Sequence, residues 1–212
     1  MMPFRIGADA SCTDGACGQV SRIIVNPVTR QVTHLAVDPK HRTGPGRLVP
    51  VDLVDAATGL IRLGCTLAEF HTLPPAQEAQ SVRDLDTTGH ASAAKQVRWA
   101  VVGGGPSGVG ALARPAEPEA PQQAWVDFVP SGAVAIRRGL IVCAADGEIG
   151  QVQGLAVEPG GYQVTHVLVQ KGHLPGRKEV AIPISAVTKI GTMLIHLSLT
   201  KHQVKDLPPA EI

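Results

Sequence analysis

Several groups of residues in this chain have the types and spacings that chemistry could use. Cys12 and Cys17 flank Asp14-Gly15, which reads as the two-residue loop of a β-hairpin, since the second position of a type I′ turn needs the positive φ that glycine supplies. With that loop, Thr13 faces Ala16 and Cys12 lies directly opposite Cys17. Opposed Cα atoms sit about 4.5–5.5 Å apart, within disulfide reach. The pair is the candidate redox site, and its expected resting state is two reduced, partly buried thiols that fill small apolar positions. Cys65 and Cys143 have no cysteine counterpart in the matching stretch of chain, so no zinc site is expected. His34 and His166 share the context Gln-Val-Thr-His. An imidazole there could act as a general base or metal ligand, but neither has the closely spaced partners of a metal site. A half-buried histidine holding a backbone carbonyl is expected instead.

Two loops are basic: Lys40, His41, Arg42 and Arg47 in one, Lys171, His173, Arg177 and Lys178 in the other. They are the candidate contact surface for a partner, since Lys and Arg in such loops can meet phosphate or acidic groups. The run Gly103-Gly104-Gly105-Pro106-Ser107-Gly108 matches a dinucleotide-binding fingerprint literally. That fingerprint works when a strand delivers the glycines to a helix N-terminus. Here Arg114-Pro115 follows within two turns and there is no room for the rest of a nucleotide domain. A Gly-rich linker is expected, with no flavin or nicotinamide cofactor. With no Ser-His-Asp pattern, activated Cys-His pair or framed carboxylate pair, no catalytic residues are expected and the chain is read as non-enzymatic.

The elements that position these residues occur twice. Asp14-Gly15-Ala16-Cys17-Gly18-Gln19-Val20 returns as Asp146-Gly147-Glu148-Ile149-Gly150-Gln151-Val152, and Gln31-Val32-Thr33-His34 as Gln163-Val164-Thr165-His166. Leu73-Pro74-Pro75 returns as Leu207-Pro208-Pro209, so an offset of 132 has grown to 134. Such a repeat outranks other signals. Packing requirements should recur in both copies, while acquired chemistry should differ between them. β-Branched runs at 20–25 and 32–37 flank an Asn-Pro turn, with copies at 152–157 and 163–169, and read as strands. Shorter strands are expected at 48–51 and 60–63, with copies at 181–184 and 194–197. Each copy closes on a threonine-led segment, 66–72 or 200–206, read as a short N-capped helix.

Short strands with Gly and Pro turns in about 70 residues suggest a small closed barrel or roll. The Asp-Gly-x-x-Gly-x-Val opening, the Val-Thr-His strand, the Val-Pro-Val and Ile-Pro-Ile steps and the closing Leu-Pro resemble the PRC-barrel family. Repeat two is the closer match, with Arg137-Arg138-Gly139 before its first hairpin. The resemblance implies an all-β chain of two PRC-like barrels in tandem, each with a short C-terminal helical turn: domain one at 1–75, a flexible or partly ordered Gly/Ala/Pro-rich linker at 76–132, and domain two at 133–212. The family spans photosynthetic reaction-centre H subunits, ribosome-maturation factors of the RimM type and many bacterial and archaeal stand-alone proteins. Its better-known members use the domain for docking or assembly.

Composition bounds the function. Aromatics make up 3 % of the residues, too few for the stacking platforms that hold single-stranded nucleic acid. A net charge of +1 gives no global field for a polyanion. No apolar run is long enough to span a bilayer and the N-terminus lacks a secretory pattern, so a cytoplasmic location is expected. The leading expectation is a non-catalytic scaffold that docks an unidentified protein partner, with its two barrels either packed as a pseudo-dimer or tethered as separate heads. RNA- or ribosome-associated maturation and peripheral docking on a membrane energy complex are the alternatives.

Overall fold

The computed structural model describes residues 1–40, 45–57, 59–81, 97–98, 123–171, 179–191 and 193–207. Repeat one contributes β1 (Met2–Arg5), β2 (Asp9–Cys12), β3 (Gly15–Asn26), β4 (Gln31–Asp38), β5 (Arg47–Pro50), β6 (Val54–Ala57), β7 (Ile61–Leu63) and helix α1 (Leu67–Thr72). Between the repeats lie β8 (Gln77–Ser81), β9 (Val97–Arg98) and β10 (Gln123–Asp127). Repeat two supplies β11 (Val134–Arg137), β12 (Ile141–Ala144), β13 (Gly147–Val157), β14 (Val164–Lys171), β15 (Glu179–Pro183), β16 (Val187–Ile190), β17 (Leu194–Leu197) and helix α2 (Lys201–Lys205). The described chain is all-β in class, with two seven-stranded sheets and one three-stranded sheet. The doubling of the sequence is therefore a doubling of structure. Single-residue length differences in the loops after β4 and β6 account for the growth of the offset.

Each repeat gives its first strand to the other. β1 pairs antiparallel with β13, Phe4 opposite Leu155 and Arg5 opposite Gly154. β11 pairs with β3 in the same relative register, Ile136 opposite Ile23 and Arg137 opposite Arg22. After β1 the chain returns to its own sheet: Ile6 N–H still donates to Gln153 O at 2.8 Å, but Gly7 N–H donates to Val20 O at 2.7 Å. The return needs a left-handed residue, which Gly7 (φ 94°) and its counterpart Gly139 (φ 82°) provide without a Cβ penalty. Phe4, Ile23, Ile136 and Leu155 are all buried in one hydrophobic cluster that runs through both repeats. Two separately tethered heads are not what the chain forms.

The hairpin tips close the same body from the other side. Gln31 bridges Gln163, its own counterpart, so a local two-fold axis passes between them. Val32 N–H donates to Tyr162 O at 3.0 Å, and Val164 N–H donates to Arg30 O at 2.8 Å. Arg30 (φ 58°) and Tyr162 (φ 50°) occupy the left-handed region to aim those carbonyls across the axis.

Both predicted helices are present, and each begins in a reciprocal capping box. The Thr66 side chain accepts from Glu69 N–H while the Glu69 carboxylate accepts from Thr66 N–H, and Thr200 and Gln203 repeat the arrangement. Thr66→Ala should therefore cost about 1 kcal/mol in urea unfolding, because α1 holds Phe70 in the core. An unchanged unfolding midpoint would show that the cap contributes nothing. The aspartates of the Asp-Gly pairs have a task that the turn reading does not contain. Asp14 accepts from Leu67 N–H and Asp146 from Lys201 N–H, each at 2.8 Å, so each tethers a helix N-terminus to the hairpin tip.

The segment between the repeats carries order of its own. β10 pairs antiparallel with both β8 and β9, and Phe128 N–H donates to Ala76 O at 2.9 Å. Ile24, Leu48, Ala133 and Ala135, with Val129 packed against them, form a second small cluster at the first repeat. The Gly-rich run 103–110 and the Pro-rich run 114–121 lie outside the described residues. No helix among the described residues is long and apolar enough to cross a membrane.

Candidate functional site

The first repeat holds what the second lacks. The β2–β3 hairpin is offset by one residue from the sequence expectation: Cys12 pairs with Gly15 and Ser11 with Ala16, so the loop is Thr13-Asp14. The register then shifts between Ala10 and Ser11, leaving Cys17 as the extra residue of a bulge. Cys12 and Cys17 are thus not directly opposed, which corrects the cross-strand geometry expected of them. The bulge nevertheless keeps them together, and Cys65 joins. The Cys12 thiol interacts with both the Cys17 and the Cys65 thiols. Thr13 donates to Cys65 O through its N–H at 3.0 Å and through its hydroxyl at 3.3 Å, which brings the strand before α1 to the hairpin tip.

All four cysteines are free thiols. Burial, followed by the neighbouring Cys17 charge, pushes the Cys12 thiol up to about 12. Burial and then Cys12 push Cys65 up to about 11, and burial also raises Cys17. Thiols held this way stay protonated at neutral pH and are poor nucleophiles. Unfolded thiols, starting from 9.0, lose their protons before the folded ones. Their contribution to stability is therefore complete below about pH 9 and declines as pH rises toward the folded values. Thermal melts from pH 8 to 11 check this. Cys12→Ala, which installs the residue of repeat two at that place, should flatten the alkaline decline, and an identical decline in the variant would refute it. In the sequence Cys65 stands out only as a cysteine without a counterpart, and nothing places it beside Cys12, because it belongs to no motif. Its position just before the capping Thr66 is the one local signal that could have drawn attention to it.

Beside the thiols opens a cleft of about 680 Å³, lined among others by Asp9, Ala10, Ser11, Ala16, Cys17, Lys40, Leu60 and His71. In repeat two the places of Asp9, Ala10, Ser11, Ala16 and Cys17 are taken by Ile141, Val142, Cys143, Glu148 and Ile149. From Ala10 to Cys17, each of these lining residues is the smaller member of its pair. At the rim Lys40 meets Asp9 at 3.0 Å. The Gln19 amide, 2.8 Å away, and then the Lys40 ammonium hold the Asp9 carboxyl below its ordinary value.

Of the basic-loop residues, Lys40 is exposed and sits at this rim. Arg47 is part-buried and donates to Leu73 O at 2.9 Å, pinning the Leu-Pro-Pro segment. Lys171 ends β14 opposite Gly150. His41, Arg42, His173, Arg177 and Lys178 lie outside the described residues. His34 and His166 stand at equivalent places on β4 and β14, opposite Pro50 and Pro183. Neither buried Nδ1 has a hydrogen-bond partner, so the expectation that these nitrogens hold backbone carbonyls does not hold at Nδ1. Burial lowers the His34 imidazole below its usual value, and Asp52 offsets part of that. Among the described residues, no group of three or more His, Cys, Asp or Glu side chains is arranged to hold a metal ion.

A second asymmetry is electrostatic. Asp127, at the end of β10, is buried to 2 % exposure between Arg22 on β3 and Arg137 on β11. It accepts from Arg22 Nη1, meets Arg137 Nη2 at 2.7 Å and accepts from the Gln77 amide at 3.0 Å. Arg22 and Arg137 are direct cross-strand partners, and like charges so placed repel. The carboxylate between them relieves the repulsion and docks the inter-repeat sheet on repeat one. Repeat two has Gly154 and Arg5 at the same places, and Arg5 pairs with Glu179 at 2.9 Å. No family model matches the chain, and no curated protein matches its sequence.

Proposed function

We propose that this chain is a non-catalytic scaffold built from two PRC-barrel modules that have exchanged their first strands, and that it docks a protein partner on the face of repeat one. The observation that carries the reading is the cleft beside Cys17 and Lys40. A packing requirement recurs in both repeats, whereas this opening is lined by Ala10, Ser11, Ala16 and Cys17, each smaller than its counterpart in repeat two. Strand exchange supports the same reading, because one continuous core holds the face rigid and a preformed surface spares the ordering cost of binding. Lys40 at the rim supplies the polar margin expected around such a pocket.

Affinity capture from native lysate tests it, with the wild-type chain beside an Ala10→Val/Cys17→Ile variant that fills the cleft with the residues of repeat two. The reading expects one protein retained by the wild type and lost with the variant. Equal retention by both would remove the cleft from the account. Retention of ribosomal proteins, with binding that weakens steeply as salt rises, would favour the maturation-factor alternative. Recovery of membrane-complex subunits would favour the peripheral-subunit alternative.

A further inference from the structure

Arg22 is 5 % exposed, yet the Asp127 pairing uses only one edge of its guanidinium. Its Nε and Nη2 are buried without a hydrogen-bond partner. On that edge Asp38 Oδ1 stands 3.7 Å from Nη2, too far for a hydrogen bond, and is itself without a hydrogen-bond partner. A buried donor left unsatisfied costs about 1–3 kcal/mol, more when charged, so a cation in this state calls for an explanation.

Arg22 lines a cleft of about 370 Å³ together with Ser21, Asp38, Asp127, Arg137 and Arg138. An adjoining cleft of about 300 Å³ shares Ser21, Asp38 and Arg138, and adds Lys40. Four cations therefore line the joint space against two carboxylates, and Lys40 is paired outside it with Asp9. Among the described lining residues, positive charge is in excess. The Nε/Nη2 edge of a guanidinium is the fork that receives two oxygens of one oxyanion.

Repeat two has replaced most of this arrangement, although Arg5 keeps an arginine at the place of Arg137. Gly154 stands for Arg22, Gln153 for Ser21, Gln170 for Asp38 and Ile6 for Arg138. Gln153 there donates to Gln170 at 3.1 Å, a neutral pair in place of the charged cleft. The fold thus does not require the cluster.

We propose that this cleft is a binding site for a small oxyanion, a phosphate or carboxylate group, seated on the Nε/Nη2 edge of Arg22 and closed over by Arg138. The site adjoins the protein-docking cleft proposed above at Pro39 and Lys40, and its test does not depend on that reading.

Calorimetric titration of the full chain with inorganic phosphate, and separately with acetate, at constant ionic strength set by sodium chloride, tests the site. Saturable binding of one equivalent is expected for at least one of the two. Tighter phosphate binding assigns a phosphate group as the natural ligand chemistry, and tighter acetate binding a carboxylate. Arg22 variants can lose the fold, so the deciding variants are Arg138→Ile and Ser21→Gln, which carry the residues that repeat two tolerates. Each should weaken binding at least tenfold while leaving the anion-free melting temperature unchanged. Absence of saturable binding by either anion, or equal binding by wild type and both variants, would overturn the proposal.

Discussion

Gly154→Ala should detach β1 from the second sheet and destabilise the whole protein by about 3–5 kcal/mol, the scale of losing a buried phenylalanine. The reason is steric. A Cβ at position 154 would lie 2.2 Å from Phe4 O and 3.0 Å from Arg5 Cα. Both are backbone atoms of the exchanged strand, so no side-chain rotation relieves the clash. Phe4 is fully buried in the shared core, and moving β1 away withdraws it. Urea unfolding followed by circular dichroism measures the loss. Hydrogen exchange should localise it, with the amides of β13 facing β1 losing protection first. A cost under about 1 kcal/mol, on the scale of an ordinary surface change, would mean that β1 does not lie against β13 as described. The equivalent place in repeat one, Arg22 opposite Arg137, carries a full side chain. The sensitivity therefore belongs to one of the two exchanged strands.

Removing the Asp127 carboxylate should be equally severe for a different reason. Asp127→Ala leaves Arg22 buried beside Arg137 without its hydrogen-bonded carboxylate and with Asp38 no nearer than 3.7 Å, and breaking a buried pair in this way costs about 3–5 kcal/mol. The Asp127→Ala/Arg22→Met double variant should recover most of that loss, because replacing both partners by apolar groups is often close to neutral. Equilibrium unfolding of the two single variants and the double variant completes a cycle that isolates the coupling. Additive losses would show that the two residues do not interact. The strongly coupled outcome would establish Asp127 as the anchor of the inter-repeat sheet.

What could be read along the chain is whatever depends on near neighbours. The β3–β4 hairpin was visible because β-branched runs flank Asn26, whose side-chain oxygen accepts from Val28 and Thr29 N–H to shape the turn. The helices were visible because Thr66 and Thr200 reach partners three residues on. The strand exchange was not. Met2–Arg5 and Val134–Arg137 are four residues each, and the duplicated β3 and β13 offer each of them two similar edges. The choice is made by the turn-back at Gly7 and Gly139, which is a three-dimensional matter. The Asp-Gly pairs misled for a related reason: Asp14 satisfies a helix N-terminus 53 residues away, and no local pattern distinguishes that from a turn. In the candidate site, Cys12 and Cys17 could be picked out from their spacing. The bulge that rearranges them, and Cys65 beside them, depend on sheet register and tertiary approach. The Arg22–Asp127 pair joins residues 105 apart, beyond the reach of any periodicity.

That the two repeats form one exchanged body is the claim on which the docking face and the anion cleft both rest. Its most direct measurement uses two separately produced fragments, residues 1–82 and 122–212. Each contains one repeat with its flanking spacer strand but lacks the strand it must receive. Neither fragment should be a folded monomer, and mixing should produce a 1:1 complex that melts cooperatively and protects the amides of Ile23 and Leu155. A fragment that melts cooperatively as a monomer, with those amides already protected, would contradict the exchange.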